Sequence, residues 1–199
     1  QFFWQGISPY TTEFVEAHGR YFLYSPVFTV LFAPFAYLPA WLGPFAWNLF
    51  NYSLFFMAIF TLPQQFTQQQ KCRMFLFLLL ILGQSLLSFQ YNITVAYLFL
   101  FAYTLLEKDR GFLAVLLIMI SGCTKVYGIF ELALLLCYPH VWRNFGYAVT
   151  MGIVLLALPL IKIAPADLLP YYEEWCHSLA VHQSAGAYDS YFYALPIAA

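Results

Sequence analysis

Residues Ser121 to Glu131 read SGCTKVYGIFE, and they interrupt an otherwise apolar run from Gly111 to Tyr138. EKDR precedes that run and PHVWRN follows it, and both connectors carry basic residues. Where both flanks share one side of a membrane, about 28 residues must go out and come back. At ~1.5 Å per residue each arm reaches only ~20 Å, short of a ~30 Å hydrocarbon core. The turn then falls near Gly122–Gly128, where the helix formers stop, and Lys125 stands at the tip of a hairpin. Non-helical backbone at that depth persists only where protein or a water-filled cavity surrounds it.

Composition makes a membrane the relevant solvent. The 199 residues are 63% hydrophobic and 9% charged, against about 25% charged in soluble domains. Aromatic residues make up 22%, and their amphipathic rings suit the membrane–water boundary. A formal net charge of −1 leaves no electrostatic footprint for nucleic acid, so no such partner is expected. Cys72, Cys123, Cys137 and Cys176 are widely spaced and join no metal-ligand pattern. They read as membrane-buried small hydrophobes, and neither a metal nor a cofactor is expected. The chain opens on Gln1 without a signal n-region and stops at SYFYALPIAA, as a fragment of a longer polytopic protein would.

The fold class is therefore all-α and polytopic, with 1–199 one transmembrane unit. A spanning helix needs about 20 apolar residues, and 41–62 meets that before Pro63. Membrane segments are also expected at 74–89 and 93–106, at the 111–138 hairpin, and at 145–163. Residues 24–40, bracketed by prolines, suit a re-entrant or juxtamembrane helix, with 1–23 an outer loop before it. From 164 to 199 the chain is an outer amphipathic region. Within it Leu168, Tyr172, Trp175 and Leu179 share one helical face, while Glu173, Glu174, His177 and Ser178 share the other. Lys71, Arg73, Lys108, Arg110 and Arg143 lie in QQQKCR, EKDR and PHVWRN, which the positive-inside rule assigns to the cytoplasm. The N-terminal stretch, the SFQYN turn and the C-terminal stretch then face outward together.

An ionisable group at mid-bilayer costs about 2.5–3.5 kcal/mol on insertion scales, so Lys125 is the most informative residue. One reading pairs it structurally with Glu131. The other sets it against an anionic headgroup at the outer leaflet, with the hydroxyls of Thr124 and Tyr127 beside it. Gln90 and Asn92 at the SFQYN turn either cap helix ends or bond sugar hydroxyls. Asn48 and Asn51 share a face suited to polar helix–helix contact. Glu13, Glu16, His18 and Arg20 read first as a solvated loop face.

These residues, in this order, resemble a known family. FLYSPVFTVLFAPFAYLPAWLGPFAWNLFN carries a Tyr-x-Pro, Leu-Pro and Trp-x-x-x-Asn pattern, SFQYN a Gln-x-Asn turn, and CTKVYGIF a Lys-x-Tyr element. Together they resemble glycosyltransferase family 87, its Bacteroidetes-type branch most closely, from about Tyr10 to about Ser184. The resemblance implies a GT-C-type helical bundle in a bacterial inner (plasma) membrane, with its site facing outward. It implies inverting transfer of a sugar, commonly mannose, from a polyprenyl-phosphate donor to a lipid-linked or cell-envelope glycan acceptor. Lys125, Tyr127 and Thr124 would then hold the donor phosphate, and Gln90, Asn92 and Tyr24 the sugar or acceptor. The general-base carboxylate is expected upstream of Gln1. Gly19-Arg20 stands where family members often carry an Asp. A polytopic transporter and a catalytically inactive membrane scaffold are the competing readings.

Overall fold

The computed structural model describes residues 2–19, 21–39, 41–87 and 91–184, which form helices and the connections between them. A 3-10 turn, Phe2–Gln5, leads to α1 (Thr12–His18), α2 (Pro26–Leu31) and α3 (Ala33–Ala36). Longer helices follow: α4 (Leu42–Phe60), α5 (Gln68–Leu87), α6 (Asn92–Glu107) and α7 (Gly111–Thr124). A 3-10 arm, Val126–Cys137, returns along α7. Then α8 (Val141–Leu156) runs into a 3-10 turn, Leu158–Ile161, and α9 (Leu168–Ser184) follows. α7 lies against α6, α8 and the 3-10 arm, while α4 packs on α6 and α5.

Local chemistry explains where the elements depart from expectation. A short helix, α1, forms within 1–23. Thr11 caps α1 by accepting from the Phe14 amide at 3.3 Å, and Gly19 ends it in the left-handed region at φ 65°. Within 24–40, Pro34 cannot continue the helix begun at Pro26, so two short helices form in place of one. α5 starts at Gln68 rather than at 74, because Thr67 and Gln70 form a capping box. The Thr67 amide donates to Gln70 Oε1 at 2.8 Å, and the Gln70 amide donates to Thr67 Oγ1 at 3.3 Å. QQQKCR is thus the first turn of a helix. Its Lys71 is buried and donates to the carbonyls of Phe60 at 3.3 Å and Leu62 at 2.6 Å, closing the C-terminus of α4. α8 likewise starts before 145, at Val141.

The largest part of the core joins Ala102 and Leu106 of α6 to Ala114, Val115 and Ile118 of α7, with Ala148 of α8 and Leu135 of the arm. A second part sets Phe55 and Ile59 of α4 against Ile93 and Tyr97 of α6. Between those two helices Thr94 donates its hydroxyl to Asn51 Oδ1, and Asn51 Nδ2 donates to the Trp47 carbonyl at 2.8 Å. Asn51 therefore makes the polar contact its position suggests. Among the described residues Val141–Ile161 is the one helical stretch long and apolar enough to cross a membrane, with a mean hydropathy of 1.8. Asn92–Glu107, Gly111–Thr124 and Val126–Cys137 are shorter apolar helices. Phe45, Leu49 and Phe56 of α4 and Val149, Ile153 and Val154 of α8 face outward, an apolar surface that water would not favour. Cys72, Cys137 and Cys176 lie on the surface of the bundle, and Cys123 is half-buried.

The run 111–138 is a hairpin, but its two arms differ in pitch. α7 has 14 residues, or ~21 Å at the α rise; the arm has 12, or ~24 Å at the 3-10 rise of ~2.0 Å. The wider rise lets a shorter arm match its partner, and neither alone reaches ~30 Å. Two glycines allow the arms to touch. A Cβ on Gly122 would lie 3.2 Å from Ile129 backbone, and one on Gly128 would lie 2.5 Å from Ser121 Oγ and 2.6 Å from its carbonyl carbon. Backbone cannot yield as a flexible side chain does, so Gly128→Val should destabilise by about 1–3 kcal/mol or more. Gly146→Ala, where an added Cβ meets nothing within 4 Å, should instead be neutral or stabilising by up to about 1 kcal/mol. Thermal unfolding of both variants in micelles checks the contrast.

Candidate functional site

The break between α7 and the 3-10 arm leaves helix carbonyls without helical partners, and the segment before α2 supplies them. Lys125 is extended (φ −138°, ψ 123°) and donates its amide to Ser121 O at 3.0 Å. The Ser25 amide donates to Thr124 O at 3.2 Å, and the Ser25 hydroxyl donates to Cys123 O. Ser25 is buried, so it closes the end of α7 from another part of the chain. That seam draws Tyr24 to the hairpin tip. Its ring stacks on Phe28 at 4.5 Å, and its hydroxyl accepts from the Tyr91 amide at 3.3 Å. Tyr10 donates its hydroxyl to the Tyr24 carbonyl at 2.8 Å, and Trp175 of α9 donates to the neighbouring Leu23 carbonyl at 3.2 Å. Burial, with Tyr171 next in effect, holds the Tyr10 phenol far above its usual range, so it remains the donor.

Lys125 Nζ donates to Asn92 Oδ1 at 2.6 Å, and the Tyr127 hydroxyl donates to the same oxygen. The ammonium also lies 4.8 Å from the centre of the Tyr127 ring and 5.5 Å from that of Tyr24. Ring faces attract a cation without cancelling its charge. An ammonium has three N–H donors, and Asn92 takes one. Among the described residues no carboxylate lies within ion-pair distance of Lys125.

Glu131, the structural partner the sequence offers, is turned elsewhere. It is buried, and its Oε1 accepts from the Ser121 hydroxyl at 2.8 Å. Its Oε2 has no hydrogen-bond partner among the described residues. Glu131 thus joins the two arms of the hairpin near the Gly128 crossing.

Tyr24, Asn92 and Tyr127, from three separate parts of the sequence, converge on the Lys125 ammonium. Thr124 does not join them through its hydroxyl, which donates back to Ile120 O at 2.7 Å and Ser121 O at 3.0 Å. Gln90 lies outside the described residues. Ser25, Tyr10 and Tyr91 hold the site, and the sequence reading did not single them out. Only the Ser-Pro step beginning α2 hinted at Ser25, and then as a local cap. Among the described residues Lys125 lines neither of two shallow concavities. One, of about 300 Å³, lies at Asp109–Gly111, Arg143 and Tyr147. The other, of about 160 Å³, separates α1 from α9 beside Tyr10. The lysine is half-buried at the tip of the hairpin.

The family model for glycosyltransferase family 87 matches residues 22–195. That is most of the chain, and the chain belongs to this family. No curated protein matches it, and neither does any solved structure. The matched span contains Tyr24, Asn92, Lys125 and Tyr127, while α1 lies before it.

Asn92 accepts from two donors, one of them charged, so Asn92→Leu should cost about 1–3 kcal/mol by removing both hydrogen bonds. Asn92→Asp keeps the acceptor, adds a charge opposite Lys125 and stands in the first turn of α6, where the helix dipole favours an anion. It should be as stable as the parent or more so, as thermal unfolding of the two variants would show.

Proposed function

From that membership we propose a specific reaction: transfer of a sugar, mannose first, from a polyprenyl-phosphate donor to a lipid-linked or cell-envelope glycan acceptor. The family is one of membrane glycosyltransferases, which act on a sugar donor and an acceptor. The observation that carries the finer reading is the Lys125 ammonium, held by a neutral amide oxygen and two ring faces. A cation already paired with a carboxylate offers little to a second anion, whereas this one keeps its field available. A phosphate suits it, since an ammonium is a compact charge with donors to spare.

In the proposed reaction the acceptor hydroxyl oxygen attacks the sugar's anomeric carbon from the face opposite the phosphate, so configuration inverts. The new C–O bond forms as the bond to phosphate oxygen breaks, and the acceptor's proton passes to a carboxylate base. Polyprenyl phosphate leaves carrying the bonding electron pair. Lys125 stabilises the charge that builds on the leaving oxygen, with the Tyr127 hydroxyl and Asn92 amide positioning it. The exposed Val126 and Tyr127 beside Lys125 suit a donor whose lipid tail remains in the bilayer while its headgroup reaches the hairpin tip. The GT-C-type bundle, the inner-membrane location and the outward-facing site belong to the same proposal. The outward apolar faces of α4 and α8 support a membrane setting, and the basic residues Lys108 and Arg110 between α6 and α7 support the orientation.

The test uses membranes carrying the protein, supplied with labelled polyprenyl-phosphate mannose and then with other sugars on the same carrier. Lys125→Ala should lower transfer by at least about 100-fold, the scale for losing one preorganised transition-state donor. Asn92→Asp should also lower it while the protein stays folded, because the new carboxylate neutralises Lys125. Glu131→Gln should leave transfer unchanged, since that carboxylate does not face the ammonium. Equal transfer by wild type and Lys125→Ala would remove the lysine from the site.

A further inference from the structure

The concavity of about 160 Å³ between α1 and α9 has a composition of its own. Thr12 and Glu16 come from α1, His177 and Ser178 from α9, and Tyr10 and Tyr21 from the segments flanking α1. Ser178 was expected on the outward polar face of α9, yet it is 3% exposed and its hydroxyl has no hydrogen-bond partner among the described residues. Buried hydroxyls in folded proteins are nearly always paired, so this one points to a ligand group that completes it. Polar groups lie close to apolar ones here: a carboxylate that only accepts, hydroxyls that donate and accept, an imidazole, the Tyr21 ring, and Val15 and Val181. Such a lining matches a pyranose, which carries hydroxyls around its edge and C–H bonds across its faces.

We infer that this cleft binds the terminal sugar of the glycan acceptor, an assignment that rests on the transferase reading above. Its size fits one sugar unit, being smaller than the ~300–1,000 Å³ of pockets that enclose a whole drug-sized ligand. Its walls are fixed. Ser8 donates its hydroxyl to Glu174 of α9 at 2.6 Å, the rings of Tyr10 and Tyr171 meet at 5.2 Å, and those of Tyr21 and His182 at 5.4 Å. Its location is also apt. Tyr10 lines the cleft and bonds the carbonyl of Tyr24, whose ring faces Lys125, so one tyrosine joins the sugar cleft to the cation site. Glu16 is assigned as acceptor of the sugar's hydroxyl hydrogens, Tyr21 as the surface on which the ring rests, and Ser178 as a bonding partner within the cleft.

The full chain in phospholipid nanodiscs free of glycolipid tests this by saturation-transfer NMR. The probes are methyl glycosides of mannose, glucose, galactose and N-acetylglucosamine. Saturation should reach the ring protons of at least one probe. Glu16→Gln should weaken that probe by about tenfold, the scale of one hydrogen bond to a charged group, and Tyr21→Ala should weaken it similarly. Ser178→Ala should weaken it too while unfolding no earlier than the parent, because it removes a hydroxyl that the unliganded protein leaves unpaired. Lys125→Ala should bind the sugar as the parent does. Absence of saturation from all four probes overturns the cleft assignment, as does binding that Glu16→Gln, Tyr21→Ala and Ser178→Ala leave intact. Wild-type transfer beside a cleft silent to sugars overturns the cleft alone. A cleft that binds sugar in a protein that transfers none overturns the transferase reading alone.

Discussion

The crossing of Ser121 and Gly128 is the constraint on which the rest depends. The two arms of the hairpin pack tightly there, and only a residue without Cβ permits that approach. The return arm takes the 3-10 rise, which carries 12 residues about as far as α7 goes with 14. The change of pitch breaks the chain at Lys125, which becomes extended, and α7 is left with unpartnered carbonyls. Ser25 answers two of them, and in doing so carries Tyr24 to the tip. The candidate site is thus a consequence of how the hairpin ends.

The charges follow from the same geometry. A buried ion pair is a common fate for a lysine and a glutamate in an apolar run, and it would have neutralised both. Here Glu131 lies one 3-10 turn beyond Gly128, facing α7, and Ser121 takes it. Lys125 lies on the other side of the crossing, where the start of α6 presents Asn92. The crossing therefore separates the two charges, using one to join the hairpin and leaving the other with a neutral partner. A single residue, Ser121, serves both sides: its hydroxyl holds the carboxylate, and its carbonyl accepts the Lys125 amide and the Thr124 hydroxyl.

Much of this architecture was legible in the sequence because it rests on length and polarity. The hairpin follows from counting residues between two basic connectors, and the position of Lys125 follows from where helix formers give way to glycine. Asn51 was legible as a polar residue amid an apolar helix. The misreadings share a cause: a residue judged by its own polarity rather than by a distant partner. Lys71 looks like a loop charge, yet it closes α4 from within α5. The Thr67–Gln70 box was readable as a helix start, but the run of glutamines around it suggested a connector. Ser25 and Ser178 are ordinary small polar residues until α7 and α1 are placed beside them. Thr124 illustrates the converse, since proximity to Lys125 in sequence did not bring its hydroxyl to the ammonium.

The N-terminal segment adds a final step. The family match begins at Phe22, so it includes the cation site and omits Tyr10, Thr12, Val15, Glu16 and Tyr21. On the reading proposed here, phosphate recognition lies in the part of the chain that matches the family, and one wall of the sugar cleft lies before it. That division is chemically sensible. A donor phosphate is the same group whatever sugar it carries, so the cation that meets it gains nothing from variation. An acceptor glycan differs in ring stereochemistry, which only hydrogen bonds directed at particular hydroxyls can distinguish. Placing those groups on a short helix fastened by Thr11, Gly19 and contacts to α9 allows their replacement without disturbing the glycine crossing. The Tyr10–Tyr24 hydrogen bond joins the two parts, so the sugar cleft is held at a fixed place relative to the ring that faces Lys125.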